Sequence, residues 1–393
     1  MPITADAGER PPPARRGPGA TPFPVVIPLN DLRPQHREIA DEVRAGWDRV
    51  CRSGRFVLGE EVERFEERFA RYCGRRHCVA VGNGTDALEL ALHALGLGPG
   101  RTVAVPANSF AASAFAVARA GAEVAFADVD EASGLAGADR LVAALGGRQG
   151  AVMPVHLYGQ VCPPPVGVPV LEDAAQAHGA RHAGRRAGGF GELAAFSFHP
   201  SKNLGAYGDG GAVVTDDADH AAAVRVGRSH GERVKHDHVR IAGNSRLDEL
   251  QAVVLSAKLD HLDRWNQQRR QAADRYGELL AGLEGVDAPA SLPGNEDVWH
   301  LYVVQLAEGD RDRAHDAMLR AGVQVGLHYP RPIHLQRPFV ARGHRPGEFP
   351  VAERRARRLL SLPMYPGITE GQQALVVAQL RRALRTIARE RYK

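Results

Sequence analysis

The chain has 393 residues, of which 44% are hydrophobic and 24% charged, and its formal net charge is +4. The composition is ordinary for a soluble globular protein, and the length allows two domains and a large core. So small a net charge gives no reason to expect nucleic acid as a partner, although it suits an anionic ligand at a local site.

The N-terminal 24 residues are rich in proline, glycine and arginine and contain no apolar stretch of signal-peptide length. We therefore predict a disordered tail over residues 1–24 and no secretory signal. None of the four cysteines lies in a CxxC pair, so we predict free thiols in a reducing compartment and no metal site. The uncharged run 102–118 contains proline, asparagine and serine and is too short to span a membrane. We expect a cytoplasmic protein without a membrane partner.

From about residue 30 to 245, short β-rich runs alternate with helical runs rich in alanine and leucine. This alternation predicts an α/β domain with a mostly parallel sheet covered by helices. The predicted strands are 77–81, 102–107, 122–130, 151–159, 168–173, 193–198 and 211–217. A long helical pattern from Arg246 then leads into a smaller α+β region. We predict a large domain over residues 25–261 and a small C-terminal domain over residues 262–393.

The segment GNGTDAL, residues 82–88, lies between a predicted strand and a predicted helix. Backbone amides at a helix N-terminus, with glycine allowing close approach, favour a phosphate. Gly82, Gly84 and Ala87 also match a dinucleotide fingerprint, which makes a nicotinamide enzyme an alternative. That fingerprint requires an acid at the end of the next strand, and TVAVPANSF has none. An ordinary strand-to-helix turn is the remaining alternative.

Two further strand ends carry polar groups that suit a cofactor. Asp173 ends the apolar strand in LEDAAQAHGA, where an acid in an α/β sheet faces the ligand crevice; helix capping is the alternative. Lys202 follows the strand that ends at Ser197, before a glycine-rich loop. Partial desolvation lowers the pKa of a lysine and makes its amine a nucleophile, whereas a lysine in a surface loop would stay protonated.

Together these three features match pyridoxal 5'-phosphate. This cofactor requires a lysine for its aldehyde, a carboxylate for its ring nitrogen and an amide cradle for its phosphate. Each of these groups stands at the C-terminal edge of a predicted strand.

The chain resembles the DegT/DnrJ/StrS sugar aminotransferases over about residues 27–390. The blocks NGTDALELAL, VPANSF, PVHLYGQ, LEDAAQAHGA, FSFHPSKNLGAYGDGGAVVT, NSRLDELQAVVL, HLYVV and HYPRPIHLQ occur in the family's order. The resemblance implies a PLP-transferase fold of type I, like that of aspartate aminotransferase. It also implies that the active unit is a homodimer whose active site is shared between subunits.

The resemblance assigns roles to individual residues. It implies that Lys202 is the catalytic lysine that binds the cofactor covalently and carries the proton. Its implied cofactor contacts are Asp173 for the ring nitrogen, Gln176 for the ring hydroxyl, Phe110 for the ring face, Gly84, Thr85 and Ser197 for the phosphate, and Asn244 for the phosphate of the neighbouring subunit. Candidate substrate contacts are Arg246, His238 and His334, for which packed histidines or interface charges are the alternative.

Lysine at position 202 favours transamination, because related deoxygenating enzymes have histidine there. The implied reaction transfers the amine of L-glutamate, which leaves as 2-oxoglutarate, to a keto group at carbon 3 or 4 of a nucleotide-linked deoxysugar, with dTDP as the expected carrier, for an antibiotic or other natural product. A keto-cyclitol substrate and a non-catalytic regulator on the same fold are the alternatives.

The connection QVCPPPVGVPV, between residues 159 and 171, departs from the family pattern. The family has a helix there, whereas this segment is short and rich in proline. We predict that residues 160–168 contain no α-helix. A second departure, Ala242 with Gly243 before Asn244, predicts a differently shaped loop at that asparagine.

Overall fold

The structure is a computed structural model that describes residues 27–391, so the predicted tail over residues 1–24 lies outside the described residues. The α-helices are α1 Arg33–Ser53, α2 Glu60–Cys73, α3 Gly84–Ala94, α4 Ala112–Arg119, α5 Ala138–Leu145, α6 Ala218–Arg228, α7 Glu249–Leu259, α8 Leu262–Leu280, α9 Arg311–Arg320, α10 Arg337–Val340, α11 Pro350–Arg358 and α12 Glu370–Arg391. The strands are β1 His77–Val81, β2 Thr102–Pro106, β3 Glu123–Ala127, β4 Gly150–Val152, β5 Leu171–Asp173, β6 Arg181–His182, β7 Arg185–Arg186, β8 Leu193–Ser197, β9 Gly211–Thr215, β10 Glu232–Val234, β11 Asp237–His238, β12 Val286–Asp287, β13 Asn295–Glu296, β14 Tyr302–Leu306 and β15 Leu359–Leu362.

The central sheet has the strand order β3-β2-β4-β5-β8-β9-β1. Parallel ladders join β3 to β2, β2 to β4 and β5 to β8, and two parallel bridges connect the β4 and β5 regions. Only β9 runs against its neighbours in this sheet, because it pairs antiparallel with both β8 and β1. The β8–β9 connection, residues 198–210, contains no helix that could return the chain for a parallel pairing. That connection carries Lys202 at the carboxyl end of β8.

The connection between β4 and β5 confirms the prediction made from its prolines. Residues 160–168 contain no α-helix, and only a single 3-10 turn, Leu157–Gly159, precedes them. The predicted strand over residues 151–159 is correspondingly shorter, because β4 ends at Val152. The run 102–118 forms β2 and most of α4, as a strand followed by a helix.

The long helical pattern that begins near Arg246 is two helices rather than one spine. The chain breaks between α7 and α8 at Asp260 and His261. The buried face of α7 contributes Leu255 to the apolar cluster beneath α2, whereas α8 contributes Tyr276 to a separate cluster with β14, β15, α9 and α12. Because of the break, α7 and α8 contribute side chains to two different apolar clusters. The domain boundary after residue 261 stays a prediction, which this separate packing supports.

Glu249, the first residue of α7, binds the free backbone amides at the N-terminus of α2. Its buried carboxylate accepts hydrogen bonds from the backbone amides of Gly59 (2.7 Å), Glu61 (2.9 Å) and Val62 (3.2 Å). A carboxylate at this place satisfies amides that have no acceptor within the helix and interacts favourably with the helix dipole. The connection between α1 and α2 is thereby fixed, and it leaves Phe56 49% exposed.

All four cysteines are free thiols, and three of them are buried. Within residues 27–391, no helix is both long and apolar enough to cross a membrane.

Candidate active site

A cleft of about 470 Å³ opens at the carboxyl ends of β5 and β8, beside the N-terminus of α3. The polar strand ends predicted to meet do meet in this cleft, because parallel strands direct their carboxyl ends to one edge of the sheet. The predicted site residues that line it are Gly84, Thr85, Phe110, Asp173, Gln176, Ser197 and Lys202.

One end of the cleft is formed by the start of α3. The side chain of Asn83 caps this helix by accepting a hydrogen bond from the amide of Asp86 at 2.9 Å. The first-turn amides of Gly84 and Thr85 have no acceptor within the helix. A Cβ atom on Gly84 would lie 2.5 Å from Cβ of Ser197, so only glycine allows the helix start and β8 to approach this closely.

Asp173 lies in the floor of the cleft and is 5% exposed. Its carboxylate accepts a hydrogen bond from the Ser113 hydroxyl at 2.7 Å and from the Ala175 amide at 3.2 Å. Burial raises the pKa of Asp173, while these hydrogen bonds and the charge of Lys202 act in the opposite direction. The carboxylate is therefore held in one orientation with few neighbours to solvate its charge.

Gln176 connects the cleft floor to the segment around Tyr329. Its Oε1 accepts a hydrogen bond from the Tyr158 amide at 2.8 Å, and its Nε2 donates to the Tyr329 hydroxyl at 3.2 Å. The Phe110 ring packs against the Tyr329 ring, with 5.5 Å between ring centroids, and Phe110 is 55% exposed. An exposed aromatic face thus borders a polar floor.

Lys202 is partly exposed at the cleft and sits in a tight turn, where its amide donates to the His199 carbonyl at 2.8 Å. Burial lowers the pKa of Lys202 to about 8, partly opposed by the charge of Asp173. Burial and the nearby lysine charge lower the pKa of His328 to about 4 and that of His178 to about 3. Both imidazoles are therefore neutral at neutral pH and add no positive charge near the amine.

Three predicted residues lie away from the cleft lining of this chain. Asn244 is exposed, Arg246 is half-buried, and His238 is exposed on the β10–β11 hairpin. Ser245, between the first two, ties this segment to the start of α3: its hydroxyl accepts from the Gly82 amide at 3.0 Å and donates to Asp86 at 2.8 Å.

His334 is also placed outside the cleft. Its side chain is fully buried against Phe349, with ring centroids 4.7 Å apart, and its Nε2 lies 3.1 Å from Oε1 of Glu353. Burial lowers the pKa of His334. The packed-histidine alternative describes this environment, and the histidine of the same segment that does line the cleft is His328.

Several residues that shape the cleft were not predicted from the sequence. Ser113 binds Asp173, Tyr329 binds Gln176, and the rings of His300 and His328 line the wall. Ser113 was detectable as a polar residue in an alanine-rich helix. The others lie in the distant blocks HLYVV and HYPRPIHLQ, whose local patterns do not indicate which side chain faces the cleft.

The residues of the cleft fit pyridoxal 5'-phosphate. The amides and hydroxyls around Gly84 and Ser197 suit a phosphate, the buried Asp173 carboxylate suits a protonated ring nitrogen, and the exposed Phe110 face suits a flat ring. The amine of Lys202, with its lowered pKa, suits an aldehyde. When bound, this cofactor supplies an electron sink for a carbanion at the substrate carbon.

We expect the rate constant for covalent attachment of pyridoxal 5'-phosphate to the apoprotein to increase with pH, with the midpoint of the increase at about pH 8. The reason is that only the unprotonated Lys202 amine attacks the aldehyde. Below this midpoint the rate constant should fall about tenfold per pH unit. Stopped-flow absorbance between pH 6 and 10 measures it. A midpoint near the ordinary lysine value of 10.5 would contradict a desolvated amine.

The chain matches the model of the DegT/DnrJ/EryC1/StrS aminotransferase family over residues 37–381. It is 42% identical over 364 residues to the dTDP-3-amino-3,4,6-trideoxy-alpha-D-glucose transaminase of Streptomyces venezuelae, covering 90% of this chain and 95% of that protein. It is also 40% identical over 364 residues to a pleiotropic regulatory protein of Geobacillus stearothermophilus, covering 90% and 97% of the two chains.

The crystal structure of DesV from S. venezuelae in complex with a ketimine intermediate superposes with a TM-score of 0.86 at 41% identity. The match covers 92% of this chain and 98% of that chain.

The fold and the cleft define a pyridoxal phosphate-dependent enzyme of fold type I, and its class is that of an aminotransferase. The chain belongs to the DegT/DnrJ/EryC1/StrS aminotransferase family. The nicotinamide alternative is therefore wrong, and so is the non-catalytic regulator.

Proposed function

We propose that the protein transfers the amino group of L-glutamate to the carbon-3 keto group of a nucleotide-linked deoxysugar, with dTDP as the expected carrier. The observation that carries this proposal is the meeting of the Lys202 amine and the Asp173 carboxylate in one cleft beside a helix N-terminus. The relative from S. venezuelae, whose name specifies a 3-amino dTDP-sugar, supports carbon 3 over carbon 4.

In this proposal each residue has a limited task. Lys202 binds the cofactor aldehyde and later carries a proton between carbons, for which a pKa of about 8 is well suited near neutral pH. Asp173, oriented by Ser113, keeps the ring nitrogen protonated. Gln176 and Phe110 line the cleft, where they would contact the ring hydroxyl and one face of the ring. The amides of Gly84 and Thr85 and the hydroxyl of Ser197 would hold the phosphate.

The lining of the cleft supports a deoxysugar. Leu29, Leu301 and Met364 form an apolar edge, and among residues 27–391 Lys202 is the only lysine or arginine of the lining. An apolar edge suits the methyl and methylene carbons of a deoxysugar. The product would be an amino sugar, for which we propose an antibiotic or other natural-product pathway.

We propose that the enzyme is a homodimer in which Asn244 reaches the phosphate of the neighbouring subunit. Ile241, three residues before Asn244, has a fully exposed side chain. Asp248, four residues after Asn244, forms a β-bridge with Val57, and the neighbouring Phe56 is also exposed. Burying these side chains against a second copy removes apolar surface from water. Light scattering that shows a monomer at the concentration of an activity assay would contradict the dimer.

Product analysis with a panel of keto compounds tests the substrate. We expect the dTDP-3-keto-6-deoxyhexose to be aminated with a kcat/KM at least about 100-fold above that of the 4-keto isomer, because in the 4-keto isomer the carbon that must receive the proton would be misplaced relative to the Lys202 amine. Mass spectrometry and NMR identify the product, and isotope-labelled L-glutamate traces the nitrogen.

A keto-inositol and a UDP-linked 3-keto uronic acid serve as comparison substrates in the same assay. Preference for keto-inositol would show that the substrate is a cyclitol and not a nucleotide sugar. Preference for the uronic acid would contradict the role proposed for the apolar edge. Equal rates for the two keto isomers would contradict the assignment to carbon 3.

A further inference from the structure

A buried lysine, Lys258, lies on α7 behind the turn that carries Lys202. Its side chain is 2% exposed, and its Nζ donates a hydrogen bond of 2.6 Å to the carbonyl oxygen of Gly205. The same Nζ lies 4.8 Å from the centroid of the Tyr207 ring, within the range of a cation–π interaction. Gly205 and Tyr207 both belong to the turn segment, residues 199–207.

The cost of burying this ammonium group indicates that it serves a purpose. No carboxylate among residues 27–391 forms an ion pair with Lys258, and burial lowers the pKa of its amine to about 8. A buried charge without a carboxylate is expensive, and an apolar side chain of similar length would avoid that cost. Among the described residues, the Gly205 carbonyl accepts a hydrogen bond only from Lys258, so an apolar side chain would leave it unsatisfied.

The turn is held from the same helix at a second point. Gln251, two turns before Lys258 on α7, accepts a hydrogen bond from the Tyr207 amide at 2.8 Å through its Oε1. Next to Lys202, the Asn203 side chain donates to Asn266 and to the Val298 carbonyl, both at 2.9 Å. The backbone that follows Lys202 is therefore held at three residues, and α7 binds two of them, Gly205 and Tyr207.

We propose that Lys258 is a positioning residue for Lys202: by holding the Gly205 carbonyl, it fixes the turn that presents the Lys202 amine to the cleft. Lys258 itself is not among the residues that line the cleft. This inference rests on the proposed role of Lys202. The claim that Lys258 fixes the turn over residues 199–207 does not depend on that role.

The test compares Lys258→Met with Lys258→Arg, which keeps a charged donor, and with Val253→Ala, a packing control. Val253 is a buried residue of α7 that packs against Gly46 of α1, and its truncation destabilises the helix packing without removing a hydrogen bond to the turn. Two readouts are used: hydrogen exchange of the apoprotein over residues 199–207, and the rate of covalent attachment of added pyridoxal 5'-phosphate, followed by absorbance.

We expect Lys258→Met to increase exchange of the Lys202 and Ala206 amides at least about tenfold and to slow attachment about tenfold, with Lys258→Arg restoring most of both. Val253→Ala should lower the melting temperature and leave both readouts unchanged. Exchange at the wild-type rate in Lys258→Met, or the same changes in Val253→Ala, would overturn the proposal.

A further variant keeps the test decisive if Lys258→Met does not accumulate as folded protein. Gln251→Ala removes the other hydrogen bond between α7 and the turn, and we expect faster exchange over residues 199–207 there as well; unchanged exchange would overturn the proposal. The exchange experiment uses no cofactor. If wild-type protein instead attaches pyridoxal 5'-phosphate at another residue, the proposed function fails while the exchange result stands.

Discussion

Lys202→Ala is expected to abolish the covalent bond to pyridoxal 5'-phosphate and to lower turnover with L-glutamate by about 10⁴-fold or more. The substitution removes both the nucleophile for the aldehyde and the group that moves the proton, and proton transfer alone contributes about 10²-fold to 10⁴-fold. Loss of cofactor absorbance on addition of L-glutamate measures the half-reaction. Borohydride reduction and peptide mass mapping locate the bond.

Two comparisons separate the functions of the amine in this experiment. Lys202→Arg keeps a positive charge but cannot attack the aldehyde, so it should be as inactive as the alanine variant. Added methylamine should partly restore proton transfer in Lys202→Ala. Lys258 is the natural rival, because burial lowers the pKa of its amine to about 8 as well. A reduced bond mapped to Lys258, or a Lys202→Ala protein that still turns over L-glutamate, would refute the mechanism.

Asp173→Asn is expected to lower turnover by roughly 10²-fold to 10⁴-fold while leaving the covalent bond at Lys202 intact. The amide preserves the shape of the side chain and accepts the hydrogen bond from Ser113, but it provides no negative charge to keep a proton on the ring nitrogen. Single-turnover rates with L-glutamate and the absorbance spectrum of the bound cofactor report the two effects separately.

Ser113→Ala is the matched comparison for this prediction. It leaves the carboxylate in place and removes one hydrogen bond that lowers the pKa of Asp173, so that pKa should rise further. The loss of turnover should stay within about tenfold at pH 8 and grow as the pH decreases, because the carboxyl group becomes protonated more readily. Full activity of Asp173→Asn would show that the carboxylate does not face the ring nitrogen.

The sequence predicts the centre of the cleft because each central residue has a local signal. Asp173 and Lys202 each follow an apolar strand, and GNGTDAL stands between a strand and a helix. The carboxyl ends of strands in such a sheet meet at one edge, so three local signals are enough to predict their proximity. The proline-rich connection over residues 160–168 was predictable for a similar reason, since its length excludes an ordinary helical crossover.

The wall of the cleft was not predictable because its residues come from distant parts of the chain. His300 and Tyr329 reach the cleft through the packing of the C-terminal region against the sheet. Their segments, HLYVV and HYPRPIHLQ, match family blocks, but the local pattern does not show which side chain of each faces the cleft. His334 shows the reverse error: its segment approaches the cleft, but the side chain turns into a pocket beside Phe349 and Glu353. The break between α7 and α8 escaped prediction because the apolar spacing continues across Asp260.

The hydrogen bonds between Glu249 and the start of α2 have a consequence for co-translational folding. The acceptor for the Gly59 amide is synthesised 190 residues after its donor. When α2 leaves the exit tunnel, the amides of its first turn therefore have only water as a partner, and they acquire their carboxylate only after nearly two-thirds of the chain has been translated. Contacts of such sequence separation delay folding, so nascent chains that end before α7 should carry an unanchored, protease-sensitive α2.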